Sequence, residues 1–270
     1  MTVPTALPVW LNGCLLPAGQ AHIDPADRGF LLGDGLFETM RVANGQVSHF
    51  SRHMDRLADG ARALMLAPPD RERIAAGVHE MLAACDLTAG SLRLTCTRGT
   101  GPRGLMPPVD GTPTVLITAS AGVVPPTPVK LVTVEYRRDE DSVLSRIKSL
   151  NYLPSILARM AAARAGADDA LMLNRAGYVA ETSASTLLAC IDGQLVTPPV
   201  TDGALPGTAR GVLLDAGLLH VRRLSPLALH RATAILTVNS LGARGVHMLD
   251  GRDVPVMPDL LTAVQACVYP

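Results

Sequence analysis

Five short turns set the strongest limit on what this chain can fold into. "VWLNGCLL" (9–16) and "MRVANGQVSHF" (40–50) each place Asn-Gly between apolar stretches. Both residues of that pair tolerate positive φ, so the pair favours a type I′ turn and a tight antiparallel hairpin. "LMLNRAGYVAE" (171–181), "LLACIDGQLVT" (187–197) and "HMLDGRDVPV" (247–256) repeat the pattern with Ala-Gly or Asp-Gly. Several antiparallel strand pairs are expected.

Helical patterns lie between the hairpins. "SRHMDRLADGARALML" (51–66) offers Ser51 as an N-cap, with Met54, Leu57, Ala61 and Leu64 on one side. "DRERIAAGVHEMLAAC" (70–85) reads the same way. "YLPSILARMAAARAG" (152–166) puts Leu153, Ile156, Leu157 and Met160 on one face, with Pro154 in the first turn and Gly166 at the end. The mixture is an α/β (α+β) chain. In "ITASAGVVPPTPVKLVTVEY" (117–136), a Pro-rich stretch separates two strand-like runs. A linker over 121–128 would divide an N-terminal α/β domain, 1–120, from a second domain, 129–270, both of ordinary size.

Composition excludes several functions. The 24 basic and 24 acidic residues give zero formal charge, against the basic face a nucleic-acid binder needs. No apolar run reaches membrane-spanning length, and the N-terminus lacks the order of a signal peptide. The expectation is a cytoplasmic protein with neither nucleic acid nor membrane as partner. Five scattered cysteines without a C-x-x-C pair argue against a disulfide framework or a cysteine zinc site. His49 and His53 stand at i and i+4 but lack the glutamate of a zincin motif, so no metal is expected.

Lysine is scarce: only Lys130 and Lys148 occur. Guanidinium stays protonated, whereas a lysine amine can become neutral in a dry pocket and attack a carbonyl. Lys148 lies between a strand-like run and an amphipathic helix, where sites are commonly built. Glu181 ends a strand-like run, and "ALPGTARGVLLDAG" (204–217) is a glycine turn feeding an apolar helix, a place that favours phosphate. A lysine for an aldehyde, an isolated carboxylate and a phosphate-type helix start are the parts a pyridoxal phosphate site needs.

In this order the motifs resemble the fold-type IV pyridoxal phosphate enzymes, the class IV aminotransferase family, over nearly the whole chain. "DRGFLLGDGLFETMRV" (27–42) is similar to the family's N-terminal signature, and "RHMDRL" (52–57) to its H-x-x-R-L helix. "RIKSLNYL" (146–153) resembles the segment bearing the Schiff-base lysine. "GYVAETSASTLL" (177–188) resembles the segment whose glutamate meets the pyridine nitrogen, and "LPGTAR" (205–210) the phosphate-cradling turn. The resemblance implies a small α/β N-terminal domain, a C-terminal pseudo-barrel domain with the site between them, and a homodimer. It implies Lys148 as the catalytic base. It makes Glu181 the ring-nitrogen partner and Arg56, Ser240 and the N–H groups of Thr208 and Ala209 the phosphate ligands. Leu205 would pack against the ring. Two positions depart from the pattern: Thr186 replaces the family asparagine, and Thr208-Ala209 replaces Ile-Thr.

"TRGTGPRGLMPP" (97–108) bears on the substrate, since guanidinium takes a carboxylate bidentately. By resemblance Arg103 would hold the carboxylate of a small amino substrate. Gly104, Phe37 at the substrate side and "VNSL" (238–241) lean towards 4-amino-4-deoxychorismate lyase, whereas Leu105 fits neither branch. The leading expectation is conversion of aminodeoxychorismate to 4-aminobenzoate and pyruvate, a step of folate synthesis. The alternative is a D-amino acid or branched-chain aminotransferase using 2-oxoglutarate or pyruvate. A non-catalytic dimeric binding protein on the same scaffold is the third reading, opposed by the intact Lys148 and Glu181.

Overall fold

The computed structural model describes residues 7–123 and 125–269. The chain divides into two compact units, 1–123 with 147–151, and 124–146 with 152–270.

The first unit contains strands β1 (Val9–Leu11), β2 (Cys14–Leu16), β3 (Gly35–Ala43), β4 (Gln46–Val47), β5 (Ala89–Thr97) and β6 (Thr114–Ala121). They form one sheet in the order β2-β1-β6-β5-β3-β4. Its pairings are antiparallel. The two Asn-Gly turns behave as the sequence demands: Asn12, Gly13, Asn44 and Gly45 all have positive φ. Helices α1 (Arg28–Leu32), α2 (Phe50–Ala63) and α3 (Arg71–Ala84) complete the unit. Met54, Leu57 and Ala61 of α2 and Ile74, Val78 and Met81 of α3 share one core with Trp10, Leu36, Met40, Leu92, Leu94 and Ile117. Asp70 caps α3 by accepting from the N–H groups of Glu72 and Arg73. Ser51 does not cap α2. That helix starts two residues earlier, after His49 in left-handed conformation, and Ser51 Oγ accepts from Arg71 instead.

The short segment 147–151 belongs to this unit, not to the chain after 129, and the reason is backbone pairing. Phe37 N–H donates to the Lys148 carbonyl at 2.9 Å, and Leu150 N–H donates to the Gly35 carbonyl at 2.9 Å. Gly35 permits the approach: a Cβ there would meet the Cys96 carbonyl oxygen at 2.6 Å and Leu150 Cδ1 at 2.9 Å. Ile147 seals the segment into the core.

The second unit holds β7 (Val129–Arg138), β8 (Asp169–Asn174), β9 (Val179–Thr182), β10 (Thr186–Ile191), β11 (Gln194–Thr197), β12 (His220–Val221), β13 (Ala234–Val238), β14 (Ala243–Leu249) and β15 (Arg252–Asp253). The sheet order is β12-β11-β10-β13-β14-β7-β8-β9, with β15 beside β14. β7 runs parallel to both β8 and β14, and β11 parallel to β12; the remaining pairs are antiparallel. Helices α4 (Leu153–Arg164), α5 (Thr208–Asp215), α6 (Pro226–Leu229) and α7 (Pro258–Val268) cover it.

Helix α4 corrects one expectation. Ser155, Ala158 and Ala162 form its buried side, packed with Val134, Ala170 and Met172. Small residues let a helix lie close to a sheet, and the large apolar residues are turned outward. Leu153, Ile156, Leu157 and Met160 are 62%, 51%, 36% and 47% exposed, far from the buried face their spacing suggests. Among the described residues, no helix is long and apolar enough to cross a membrane.

Candidate active site

Within the first unit the site residues are organised by β3. Its Phe37 is buried, and the Lys148 Nζ lies 4.3 Å from the centre of the Phe37 ring. The Arg93 guanidinium stands 3.8 Å from the same centre. The ring therefore meets both cations, a contact that aromatic quadrupoles favour. Lys148 itself is half-buried. Its backbone is fixed by Phe37, its side chain by the same residue.

Neighbouring strand residues face opposite sides. Glu38 accordingly turns to α2 and is fully buried. Its Oε1 accepts from Arg56 Nε at 2.8 Å, and its Oε2 accepts from an Arg56 terminal nitrogen at 2.5 Å and from His53 Nδ1 at 2.7 Å. A carboxylate only accepts, so the His53 proton sits on Nδ1. Burial would push the Glu38 carboxyl up, but the Arg56 charge and the bonds from His53 and Arg56 hold it below its ordinary 4.5. Burial pulls the His53 imidazole below its ordinary 6.5 against the opposing pull of Glu38. Stripping such a buried carboxylate of its partner costs roughly 3–5 kcal/mol.

Both shifts give stability the same slope with pH. Glu38 has a folded value below its unfolded one, so its contribution is complete above the unfolded value and is lost as pH falls through the folded value. For His53 the unfolded chain takes up a proton first as pH drops below about 6.5, which again favours unfolding in acid. Thermal melting of the protein is expected to decline steadily from pH 7 to pH 4, and His53→Asn is expected to flatten the part between pH 6.5 and 5. A midpoint that rises on acidification contradicts this assignment.

The arginine-rich loop divides its labour. Arg28 is buried and donates to the carbonyls of Gly104 at 3.0 Å and Leu105 at 2.8 Å. Arg28 and Arg98 both pair with Asp34, at 2.9 and 2.8 Å. Burial raises the Asp34 carboxyl, but the bonds and charges of Arg98 and Arg28 outweigh it and hold it low. Arg98 also donates to the carbonyls of Leu64 and Met65. Arg103 is left exposed at the loop's surface.

The second unit gathers the remaining residues. Glu181 is 8% exposed. Its Oε1 lies 3.0 Å from Arg138 Nε, and its Oε2 accepts from the Leu205 N–H at 3.0 Å. Glu181 and Leu205, far apart in sequence, are thus joined directly. Arg138 also donates to the carbonyls of Gly203 and Ser145, so one guanidinium fixes three segments around the acid.

Thr208 and Ala209 open α5 and are buried. Gly207 before them supplies no side-chain cap, which leaves the first N–H groups of the helix without a local acceptor. A Cβ at Gly207 would meet Thr186 Oγ1 at 2.9 Å, so the residue that departs from the family asparagine packs against the turn. Arg210 is 7% exposed; a terminal nitrogen donates to the Pro198 carbonyl at 3.2 Å, and its Nε is buried without a hydrogen-bond partner. Among the described residues it makes no ion pair. Ser240 is half-buried in the turn after β13. Asn239 fixes that turn: its side-chain oxygen accepts from the N–H of Leu241, and its amide donates to the Ala184 carbonyl and Ser185 Oγ, in the loop just past Glu181.

The profile of the family described as Amino-transferase class IV matches residues 35–249, from the start of β3 to the end of β14. This chain belongs to the class IV aminotransferases. A relative from Methanocaldococcus jannaschii, named as a candidate branched-chain-amino-acid aminotransferase, is 36% identical over 82% of this chain and 79% of its own. The solved 4-amino-4-deoxychorismate lyase from Pseudomonas aeruginosa is 32% identical, covers 95% of this chain and 97% of its own, and superposes with a TM-score of 0.83. A Mycobacterium tuberculosis protein described as a hypothetical aminotransferase, solved in its PLP-bound form, is 27% identical over 97% of this chain and 99% of its own, with a TM-score of 0.86.

Pyridoxal phosphate is the cofactor of class IV enzymes, and the residues present fit it. A phosphate dianion suits an uncapped helix start whose glycine cannot be replaced without a clash, beside a buried arginine with no carboxylate of its own. The sequence pattern assigned no such role to Arg138, Glu38, Arg210 or His53, the last weighed there only as a metal ligand. Glu38 and Arg210 stood inside quoted motifs, "DRGFLLGDGLFETMRV" and "LPGTAR"; nothing in "VEYRRDE" distinguishes Arg138 from Arg137.

Proposed function

We propose that this class IV enzyme converts 4-amino-4-deoxychorismate to 4-aminobenzoate and pyruvate. Bound pyridoxal phosphate supplies a protonated ring that draws electrons from the substrate carbon bearing the amine. Lys148 Nζ would hold the cofactor aldehyde at rest and, with substrate bound, would take the proton from that carbon. The C–O bond to the enolpyruvyl group then breaks, with the electron pair leaving on oxygen. The ring becomes aromatic, and the departing enolpyruvate takes a proton to become pyruvate. Glu181 holds the proton on the ring nitrogen, backed by Arg138. Arg56, Ser240 and the N–H groups of Thr208 and Ala209 bind the phosphate, and Leu205 packs on the ring. Arg103 pairs with the substrate carboxylate, while Phe37 excludes water beside Lys148.

The observation that carries the lyase branch is the loop around Arg103. Arg28 ties down the Gly104 and Leu105 carbonyls, Leu105 is 84% exposed, and neither it nor Phe37 offers a hydroxyl or imidazole to the substrate. The similarity to a solved lyase supports the same reading. The second reading, an aminotransferase, is favoured by the 36% identical relative. There the same lysine returns the proton to the cofactor, so Lys148, Glu181 and the phosphate ligands serve both reactions. Purified enzyme is expected to release 4-aminobenzoate from aminodeoxychorismate with kcat/KM roughly a hundredfold above that for D-alanine or L-branched-chain amino acids with 2-oxoglutarate. Brisk glutamate formation without 4-aminobenzoate makes it an aminotransferase.

We place the enzyme in the cytoplasm as a homodimer. The outward stripe of Leu153, Ile156, Leu157 and Met160 on α4 supports a second copy as its cover, since contiguous exposed apolar surface of this kind marks an interface. Sedimentation is expected to report twice the mass of the chain, and Ile156→Glu with Met160→Glu to shift it towards the monomer. An unchanged dimer in that variant moves the interface elsewhere.

A further inference from the structure

We propose that Glu38 and His53 are positioning residues that set the Arg56 guanidinium in one orientation for the cofactor phosphate. The inference rests on the reading that Arg56 meets that phosphate. Glu38 grips Arg56 side-on, through Nε and one terminal nitrogen, at 2.8 and 2.5 Å. This two-point contact fixes the guanidinium plane, because rotation about any side-chain bond would break one of the two hydrogen bonds. Glu38 takes only part of the guanidinium's N–H groups, and the others lie outside this contact. His53 Nδ1 donates at 2.7 Å to Glu38 Oε2, the same oxygen that takes the terminal nitrogen of Arg56. Glu38 and His53 are 0% and 1% exposed, so neither can reach a substrate, and their effect must pass through Arg56.

The arrangement also divides the task of phosphate binding. Arg56 already has a full counter-charge in Glu38, so its contribution is directional rather than net positive. Preset donors bind without first losing rotational freedom, which is the source of the gain.

The test compares pyridoxal phosphate with pyridoxal, which has the same aldehyde and ring but no phosphate. Both are titrated into apoenzyme and followed by absorbance. Glu38→Gln is expected to weaken pyridoxal phosphate by about 10–100-fold, the usual range for an outer partner that orients a ligand, and to leave pyridoxal unchanged within a factor of about two. In an Arg56→Met background the Glu38→Gln change should then have no further effect on pyridoxal phosphate, as expected for a residue that acts only through Arg56. His53→Leu should weaken pyridoxal phosphate alone, and His53→Asn, whose amide can donate where Nδ1 does, should restore it. Should Glu38→Gln fail to fold, Glu38→Asp and the His53 pair give the same comparison. Equal loss for both ligands, or no loss for either, overturns the proposal. Arg56→Met binding pyridoxal phosphate as tightly as the wild type overturns instead the reading on which it rests.

Discussion

Lys148→Ala is expected to lower turnover by on the order of 10⁴-fold, whichever amino substrate proves best. On the proposed function the change removes both the amine that bonds the aldehyde and the base that takes the proton, and general base catalysis alone is worth about 10²–10⁴. Lys148→Arg should be as inactive, although it keeps the charge beside Phe37, because guanidinium does not deprotonate. The proposed phosphate ligands are other residues, so both variants should still bind pyridoxal phosphate. Added methylamine should restore part of the activity of the alanine variant and none of the arginine one. A Lys148→Ala enzyme within tenfold of wild type would remove the lysine from the chemistry.

Glu181→Gln is expected to cost about 10²–10³-fold in kcat, the scale of one lost electrostatic partner of a developing charge. Gln retains the shape and can still accept from Leu205, but it cannot hold a positive ring nitrogen. The structure adds a second arm to this prediction. Arg138 sits 3.0 Å from Glu181, so Arg138→Met should also slow turnover, and the two changes together should cost less than their product, since they act on one unit. KM should move little in each. Strict multiplication of the two effects would show that Arg138 serves the fold and not the acid.

Much of the architecture was legible because its signals are local. Asn12, Asn44, Asp192 and Asp250 all adopt the positive φ that their glycine-containing turns require, and the hairpins they close supply many of the antiparallel contacts. The capping aspartate of α3 stands where the sequence pattern begins. What escaped depends on partners distant in the chain. Period alone identifies α4 as a helix, but which side it buries is decided by how closely β7 and β8 admit it, and the small residues Ser155, Ala158 and Ala162 win over the larger ones. The capping choice at α2 turned on a left-handed His49, which no pattern announces. The placement of Lys148 with the first unit follows from its pairing with Phe37, across more than a hundred residues. For the site, the motifs named Glu181 and Leu205 separately; their direct hydrogen bond and the Arg138 behind them appear only in three dimensions. Glu38 was visible as a letter in a motif, while its burial and its grip on Arg56 were not.

The covalent bond between Lys148 and the cofactor aldehyde is the most direct test of the proposed function. Enzyme loaded with pyridoxal phosphate is reduced with borohydride, digested and mapped by mass spectrometry. The chain has only two lysines, so the outcome is clear-cut. The cofactor is predicted to be fixed on the peptide containing Lys148, with Lys130 unmodified. Label on Lys130, or a protein that stays colourless and unlabelled at saturating cofactor, contradicts it.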